Sequence, residues 1–171
     1  MKEILCKQSK ETRCYIMSIV MVFEGYNQIN EMTELHGEML LDVLGLSREE
    51  IERFPMPKDF SQIVAHLKPI SDPEVRHWII CNSYSPVLKS RRRDALRDFR
   101  TFCSALEWDA KEIKETMELT EELDGLKPID GGGMSSNFSV NNGSGSNTGS
   151  GCLSVIALII VSTLLCSFIL L

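Results

Sequence analysis

The sequence has no charged residue after Asp130, and before that point it has no excess of basic residues. Its 18 lysines and arginines stand against 24 acidic residues, which gives a net charge of −6. A chain with this balance has no general affinity for nucleic acid. The position of the last charge divides the chain into a globular part and an uncharged C-terminal part.

The sequence also lacks the motifs of common catalytic and cofactor sites. Its six cysteines form neither a Cys-x-x-Cys pair nor a Cys/His spacing suited to zinc. None of His36, His66 and His77 has a Cys, Asp or Glu at a spacing that predicts a triad or a ligand set. The glycines at 131–133 follow no strand and open no helix, so they predict no phosphate loop. We therefore expect neither an enzyme activity nor a cofactor.

The globular part has one continuous apolar run, Tyr15–Phe23, which is interrupted only by Ser18. It is far too short to span a bilayer, and it is at the short end for a signal peptide. Acidic residues, Glu3 and Glu11, precede it, and no small-residue cleavage site follows it. The run predicts a buried core helix. The alternative is the apolar centre of a signal peptide that is removed on export.

Helix signals continue along the chain, and no segment alternates apolar and polar residues as a strand does. We predict N-caps at Asp59, Asp72 and Asp109, and a capping box between Ser47 and Glu50. The helix from Pro73 is predicted to end before Pro86, and Ser90 to cap a helix over Arg91–Leu106. Gly45 is expected to close the helix Glu31–Leu44 in the left-handed conformation. The predicted inward residues of that helix and of the last one are Met32, Leu35, Met39, Leu40, Val43, Leu44, Ile113, Met117, Thr120 and Leu123.

Two segments of the chain are alike at an offset of 62 residues. Leu44–Ile51 and Leu106–Ile113 both read as a helix end, a tight corner and a carboxylate-closed cap. The prediction is therefore an all-α fold, a bundle of about seven helices with two pseudo-repeated halves.

Residues from Tyr15 to Leu123 resemble the TerB-type tellurite-resistance domain. The similarity rests on short motifs: Phe23-Glu24-Gly25, Glu31, the corner Leu44–Glu50, and the connectors Asp72–Arg76 and Leu106–Asp109. The resemblance implies a seven-helix fold with two similar halves, and it associates the chain with membrane-associated stress responses.

The resemblance also implies a metal site at loop carboxylates, for which Glu24 and Glu31 are the candidate ligands. Glu24 replaces the aspartate of the family pattern, and the second loop, Tyr84–Leu88, has no carboxylate. Half of the family's ligand set is therefore missing, and we do not predict a metal site of the family type.

A basic run lies at 89–100, with six bases and two acids. It is a candidate contact surface for anionic lipid or for a protein partner, through Lys89, Arg91, Arg92, Arg93, Arg97 and Arg100. The simpler interpretation is a solvated helix start in which Asp94 and Asp98 neutralise part of the charge.

The C-terminal part consists of a Gly/Ser/Asn tract followed by twenty uncharged, mostly apolar residues, Cys152–Leu171. The tract is predicted to be a disordered linker. A helix over Cys152–Leu171 would be about 30 Å long, which matches the hydrocarbon core of a bilayer. The sequence predicts four segments: an N-terminal extension 1–14, a TerB-like domain 15–125, a linker 126–151 and one transmembrane helix 152–171.

The tail allows two anchoring modes. A C-terminal tail anchor leaves the helical domain in the cytosol. A GPI signal, with small residues at Asn142-Gly143-Ser144 and a polar spacer, would place a disulfide-bonded protein at the cell surface. We expect the tail anchor, with Cys152–Leu171 in the lipid bilayer and a protein partner that the sequence does not name. The expected function is a membrane-tethered, non-catalytic interaction or scaffold module; the other alternative is a metal-binding stress-resistance protein.

Overall fold

The computed structural model describes residues 1–26 and 31–127, and of residues 31–34 it describes only the backbone. This part of the chain contains eight helices and no strand. The all-α prediction is confirmed, with one helix more than the sequence indicates. The helices are α1 Lys2–Leu5, α2 Lys10–Glu24, α3 Glu31–Leu44, α4 Arg48–Glu52, α5 Phe60–Leu67, α6 Pro73–Ser90, α7 Arg93–Leu106 and α8 Ala110–Asp124.

The apolar run Tyr15–Phe23 lies in α2, which is the central helix of the core. Ile16, Ile19, Val20 and Phe23 have no exposed surface. Ser18 is buried as well, and its hydroxyl donates to the carbonyl of Cys14 at 2.8 Å. The prediction of a buried core helix is confirmed. α2 packs against α3, α5 and α6, and α6 packs in turn against α7 and α8.

Aromatic rings from several helices meet at the centre of the domain. The Phe23 ring contacts Phe99 edge-on, with centroids 5.4 Å apart, and it also packs against Phe60 and Phe102. Tyr84 stacks on Phe99 at 5.0 Å. Burying a Phe side chain fully contributes about 1.5–3 kcal/mol, so this cluster contributes to the stability of the core.

Four of the five predicted caps are confirmed by the structure. Ser47 and Glu50 form the full capping box, and the side chains of Asp59, Asp72 and Asp109 each accept backbone N–H groups at their helix starts. Gly45 has φ +60°, as expected for a left-handed helix end.

Two boundaries near residue 90 differ from the prediction. α6 continues through Pro86 to Ser90, and α7 begins at Arg93 with no side-chain cap from Arg92. The helix continues past Pro86 because Val87 and Leu88 are completely buried there, and this burial outweighs the lost backbone hydrogen bond. Ser90 is therefore a helix-end residue: its hydroxyl donates to the Val87 carbonyl and accepts from the Arg92 N–H.

Three apolar residues predicted to face inward are exposed. Leu35, Met39 and Leu123 are 58%, 60% and 74% exposed. At the end of α8 the inward position belongs to Asp124, which accepts a hydrogen bond from Ser85 at 2.6 Å. On α3, Leu40, Leu41 and Leu44 are buried and occupy the other side of the helix.

No helix within the described ranges has the length and apolar character that a bilayer-spanning segment requires. The predicted span 152–171, and the predicted linker from residue 128 onward, lie outside the described residues. The four cysteines before residue 128 are free thiols: Cys6 is exposed, Cys81 is partly exposed, and Cys14 and Cys103 are buried.

Candidate functional site

The six basic residues at 89–100 lie around the α6–α7 corner, and the structure separates them into two groups. This corner is tight because Arg91 adopts the left-handed conformation, with φ 56°, and α7 begins two residues later. The corner directs the first three bases towards other parts of the domain and the last three along the outer side of α7.

The first group, Lys89, Arg91 and Arg92, has partners within the domain. The Lys89 Nζ lies 3.6 Å from Asp124 Oδ1, and Arg91 Nη1 donates to the carbonyl of Lys127 at 2.5 Å. Arg92 forms two hydrogen bonds with the carboxylate of Asp94. These bonds lower the pKa of Asp94 and raise the pKa of Arg92. This group is occupied in holding the corner.

Arg92 also lies over the ring of Tyr26, with its guanidinium carbon 5.2 Å from the ring centroid. The Tyr26 hydroxyl donates to Asp98 Oδ2 at 2.5 Å. Tyr26 follows α2, so these contacts join the end of α2 to the start of α7.

The second group lines a groove of about 310 Å³ on the outer side of α7. The groove is lined by Arg93, Leu96, Arg97, Arg100, Thr101 and Ser104. The three arginines are four and three residues apart, so they lie on one helix face. Leu96, which is only 4% exposed, provides an apolar floor beneath the guanidinium groups. We call this feature the α7 groove.

The charge of the α7 groove is only partly neutralised. The Arg97 side chain is 74% exposed, and its Nε donates to Asp98 Oδ1 at 3.1 Å. Arg93 is exposed and has no ion-pair partner among the described residues. The described residues that line the groove include no carboxylate, imidazole or thiol. The groove therefore has the chemistry for binding carboxylate or phosphate groups.

Of the two candidate metal ligands, Glu24 and Glu31, the structure describes the side chain of Glu24. Glu24 Oε1 lies 2.7 Å from His36 Nδ1, so this carboxylate links the end of α2 to α3. Glu31 begins α3, and its side chain lies outside the described residues. Within the described part of the chain, no group of three His, Cys, Asp or Glu side chains is arranged to hold a metal ion.

A histidine–cysteine contact on α6 was missed by the sequence analysis. Cys81 Sγ lies 3.6 Å from His77 Nε2, and His77 Nδ1 lies 2.9 Å from Thr116 Oγ1. His77 and Cys81 are four residues apart and therefore lie side by side on the helix, and this spacing gave no signal of a triad or a ligand set. Burial raises the pKa of the Cys81 thiol, which disfavours the reactive thiolate. The contacts that join α6 to α8 here are those of His77 with Thr116 and of Cys81 with Thr120.

No family model, curated protein or solved structure matches the chain.

Proposed function

We propose that the chain is a membrane-tethered, non-catalytic helical module that binds an acidic surface through its α7 groove. The observation that carries this proposal is the alignment of Arg93, Arg97 and Arg100 over the buried Leu96. Arginine side chains on one face suit an acidic surface, because a guanidinium group can form paired hydrogen bonds with a carboxylate or phosphate.

The TerB-like architecture, with two similar halves, remains part of this proposal. The bounds of two helices support it. α3 spans residues 31–44 and α7 spans residues 93–106, so α7 begins and ends 62 residues after α3. The corners after them also correspond, since Gly45 and Glu107 are both left-handed, with φ 60° and 54°. Ser47 and Asp109 then cap the following helices. A role in membrane-associated stress responses follows from this resemblance alone.

The tether is the second part of the proposal. Cys152–Leu171 has no charged residue and is long enough to cross the hydrocarbon core as a helix. The preceding Gly/Ser/Asn tract would separate the helical domain from the lipid by a flexible linker. A tail anchor leaves the helical domain on the cytosolic side, and a GPI signal would instead place it at the cell surface.

Binding by the groove is tested with a fluorescein-labelled poly-glutamate peptide, whose anisotropy reports binding to the full chain in nonionic detergent. We expect binding that weakens as salt rises, because exposed charges are screened within about 10 Å at 0.1 M salt. The variant Arg93→Glu/Arg97→Glu should lose it. The control Lys111→Glu/Lys114→Glu reverses two exposed charges on α8 and should retain it. If both variants bind the poly-glutamate peptide equally, the α7 groove is not the binding site and this part of the proposal is wrong.

The tether is tested by the intact mass of the protein extracted from membranes. A mass near 19.3 kDa, with release only by detergent, fits a tail anchor. Loss of an N-terminal piece together with the apolar tail would mean export and lipid attachment. Recovery of the full-length chain in the aqueous fraction would contradict any membrane tether.

A further inference from the structure

α3 has an outer face that combines exposed apolar and acidic side chains. Leu35 and Met39 are more than half exposed and are one helical turn apart. Glu38 and Asp42 are exposed on the same side of the helix. We call these four residues the α3 face. It places two apolar side chains beside two carboxylates.

The α3 face and the α7 groove occupy corresponding positions in their helices. Residues 62 positions after the α3 face are Arg97, Arg100, Thr101 and Ser104, and all four line the groove. The outward side of α3 is therefore acidic and has exposed apolar side chains. The corresponding side of α7 is basic and has an apolar floor.

We propose that the α3 face of one molecule docks in the α7 groove of a second copy of the same chain. This inference rests on the proposed function of the groove as a binding site for acidic surfaces, and it names the occupant. Charge complementarity favours this occupant: Glu38 and Asp42 would face Arg93 and Arg97. Leu35 or Met39 would at the same time cover Leu96 on the floor of the groove.

The described ion pairs of Glu38, Asp42 and Arg97 are exposed, and docking would make them exchange partners. Glu38 pairs with Arg48, and Asp42 Oδ1 lies 2.7 Å from Lys2 Nζ. The side chains of Glu38 and Asp42 are 52% and 75% exposed. Arg97 pairs with Asp98 within its own helix. Exposed pairs of this kind contribute little to stability, so their rearrangement does not oppose the contact strongly.

The contact joins two different surfaces, so each pair leaves one α3 face and one α7 groove available. Association of this head-to-tail type can continue beyond a dimer. A membrane tether would favour it further, because molecules confined to one bilayer have a high effective concentration.

The test uses the full chain in nonionic detergent and follows self-association by sedimentation velocity. We expect oligomers that dissociate as the salt concentration rises. The variants Arg93→Glu/Arg97→Glu and Glu38→Lys/Asp42→Lys should each weaken association about tenfold, as expected for two exposed ion pairs. The variant Lys111→Glu/Lys114→Glu is the matched control and should associate like the native chain.

Mixing the two charge-reversed variants is the decisive step. In the first variant both surfaces are acidic, and in the second both are basic, so each variant associates only weakly with itself. In the mixture, the acidic groove of the first variant can bind the basic α3 face of the second. The native α3 face of the first can likewise bind the native groove of the second. We expect the mixture to recover native association. Recovery cannot arise from a folding defect, since neither variant would be repaired by the other. A monomeric native chain, or a mixture that does not recover, overturns the inference.

The outcome also separates this inference from the proposed function. Fluorescent poly-glutamate that binds the native chain while sedimentation shows monomers would leave the groove as a binding site and exclude the second copy. Binding of the full chain that is stronger to vesicles of phosphatidylcholine with phosphatidylserine than to phosphatidylcholine alone, and that loses this excess in Arg93→Glu/Arg97→Glu, would then identify lipid as the occupant. That result too would overturn the second copy as the occupant.

Discussion

Arg76 and Glu112 are joined by two parallel hydrogen bonds between α6 and α8. Arg76 Nε donates to Glu112 Oε1 at 2.9 Å and Nη2 donates to Oε2 at 2.7 Å, and both side chains are only about a quarter exposed. The guanidinium carbon also lies 5.9 Å from the centroid of the Trp108 ring. One arginine thus holds the start of α6, the corner before α8 and the first turn of α8 together.

We predict that Arg76→Ala lowers the free energy of unfolding by about 1–2 kcal/mol, because it removes a charge-assisted, partly buried pair and leaves Glu112 without its partner. Urea unfolding of the full chain measures this value. Combining it with Glu112→Gln in a double-mutant cycle should give a coupling energy of about 1 kcal/mol. The control is Arg53→Ala. Arg53 pairs with Glu49 on the surface, and its side chain is 78% exposed. Its replacement should lower the free energy of unfolding by at most about 0.5 kcal/mol. Equal losses for the two arginines would contradict the assignment.

Gly45 is a second position where the structure predicts a specific cost. A Cβ added there would lie 2.9 Å from both Arg13 Nη1 and Cys6 Sγ. Arg13 Nη1 donates to the Leu44 carbonyl at 2.5 Å and to that of Gly45 at 3.0 Å, so a displaced guanidinium loses both bonds. Gly45→Ala should therefore cost more than the roughly 1–2 kcal/mol of the left-handed conformation itself.

Gly125→Ala is the matched control for this prediction. Gly125 has φ 63°, and an added Cβ would meet no atom within 4 Å. Gly125→Ala therefore measures the free-energy cost of placing alanine in the left-handed conformation alone. The additional loss of stability in Gly45→Ala measures the cost of the close approach to Arg13. Thermal unfolding of both variants gives the comparison. If Gly125→Ala is as destabilising as Gly45→Ala, the contact with Arg13 contributes nothing.

The helix starts at Ser47, Asp59, Asp72 and Asp109 could be predicted from sequence because their signals are local. An N-cap such as Asp72 accepts N–H groups from residues two and three positions later, so a short sequence contains the whole interaction. The end of α6 could not be predicted in the same way. Pro86 is a local signal to stop, and the burial of Val87 and Leu88 depends on helices distant in sequence.

The candidate site was predictable as a cluster of charges but not as a surface. The sequence places six bases within twelve residues, and only the left-handed Arg91 divides them into an occupied corner and an exposed groove. The α3 face was assigned to the core for a related reason. Apolar residues of α3 lie on both sides of the helix, so a spacing of three and four does not identify which side is buried.

The cysteines should differ strongly in their rates of alkylation in the folded chain. Cys6 is exposed, whereas Cys14 and Cys103 are 2% and 3% exposed, and burial raises the pKa of both buried thiols. Since the thiolate is the nucleophile, N-ethylmaleimide should label Cys6 first and Cys103 last, as followed by peptide mass spectrometry. In urea the two sites should react at similar rates. Rapid labelling of Cys103 in the native chain would contradict the buried face of α7.

Glu50 should make stability depend on pH in the acidic range. Its carboxylate accepts from Lys10 Nζ at 2.5 Å and from the Ser47 N–H at 2.8 Å, and these bonds lower its pKa from the usual 4.5 to about 2. Because folding lowers the pKa, the stabilisation is fully present above pH 4.5 and is lost as the pH falls towards about 2. Glu50→Gln should therefore unfold at a lower urea concentration than the native chain at neutral pH, and the gap should narrow on acidification.

Glu49→Gln is the control for this pH dependence, because it removes the same charge one residue earlier and leaves the capping box intact. Its urea midpoint should stay closer to that of the native chain at neutral pH than the midpoint of Glu50→Gln does. A gap between Glu50→Gln and the native chain that stays constant down to about pH 2 would mean that the Glu50 carboxylate is not held by Lys10 and Ser47. The loss in Glu50→Gln would then have to arise from packing alone, since packing does not titrate.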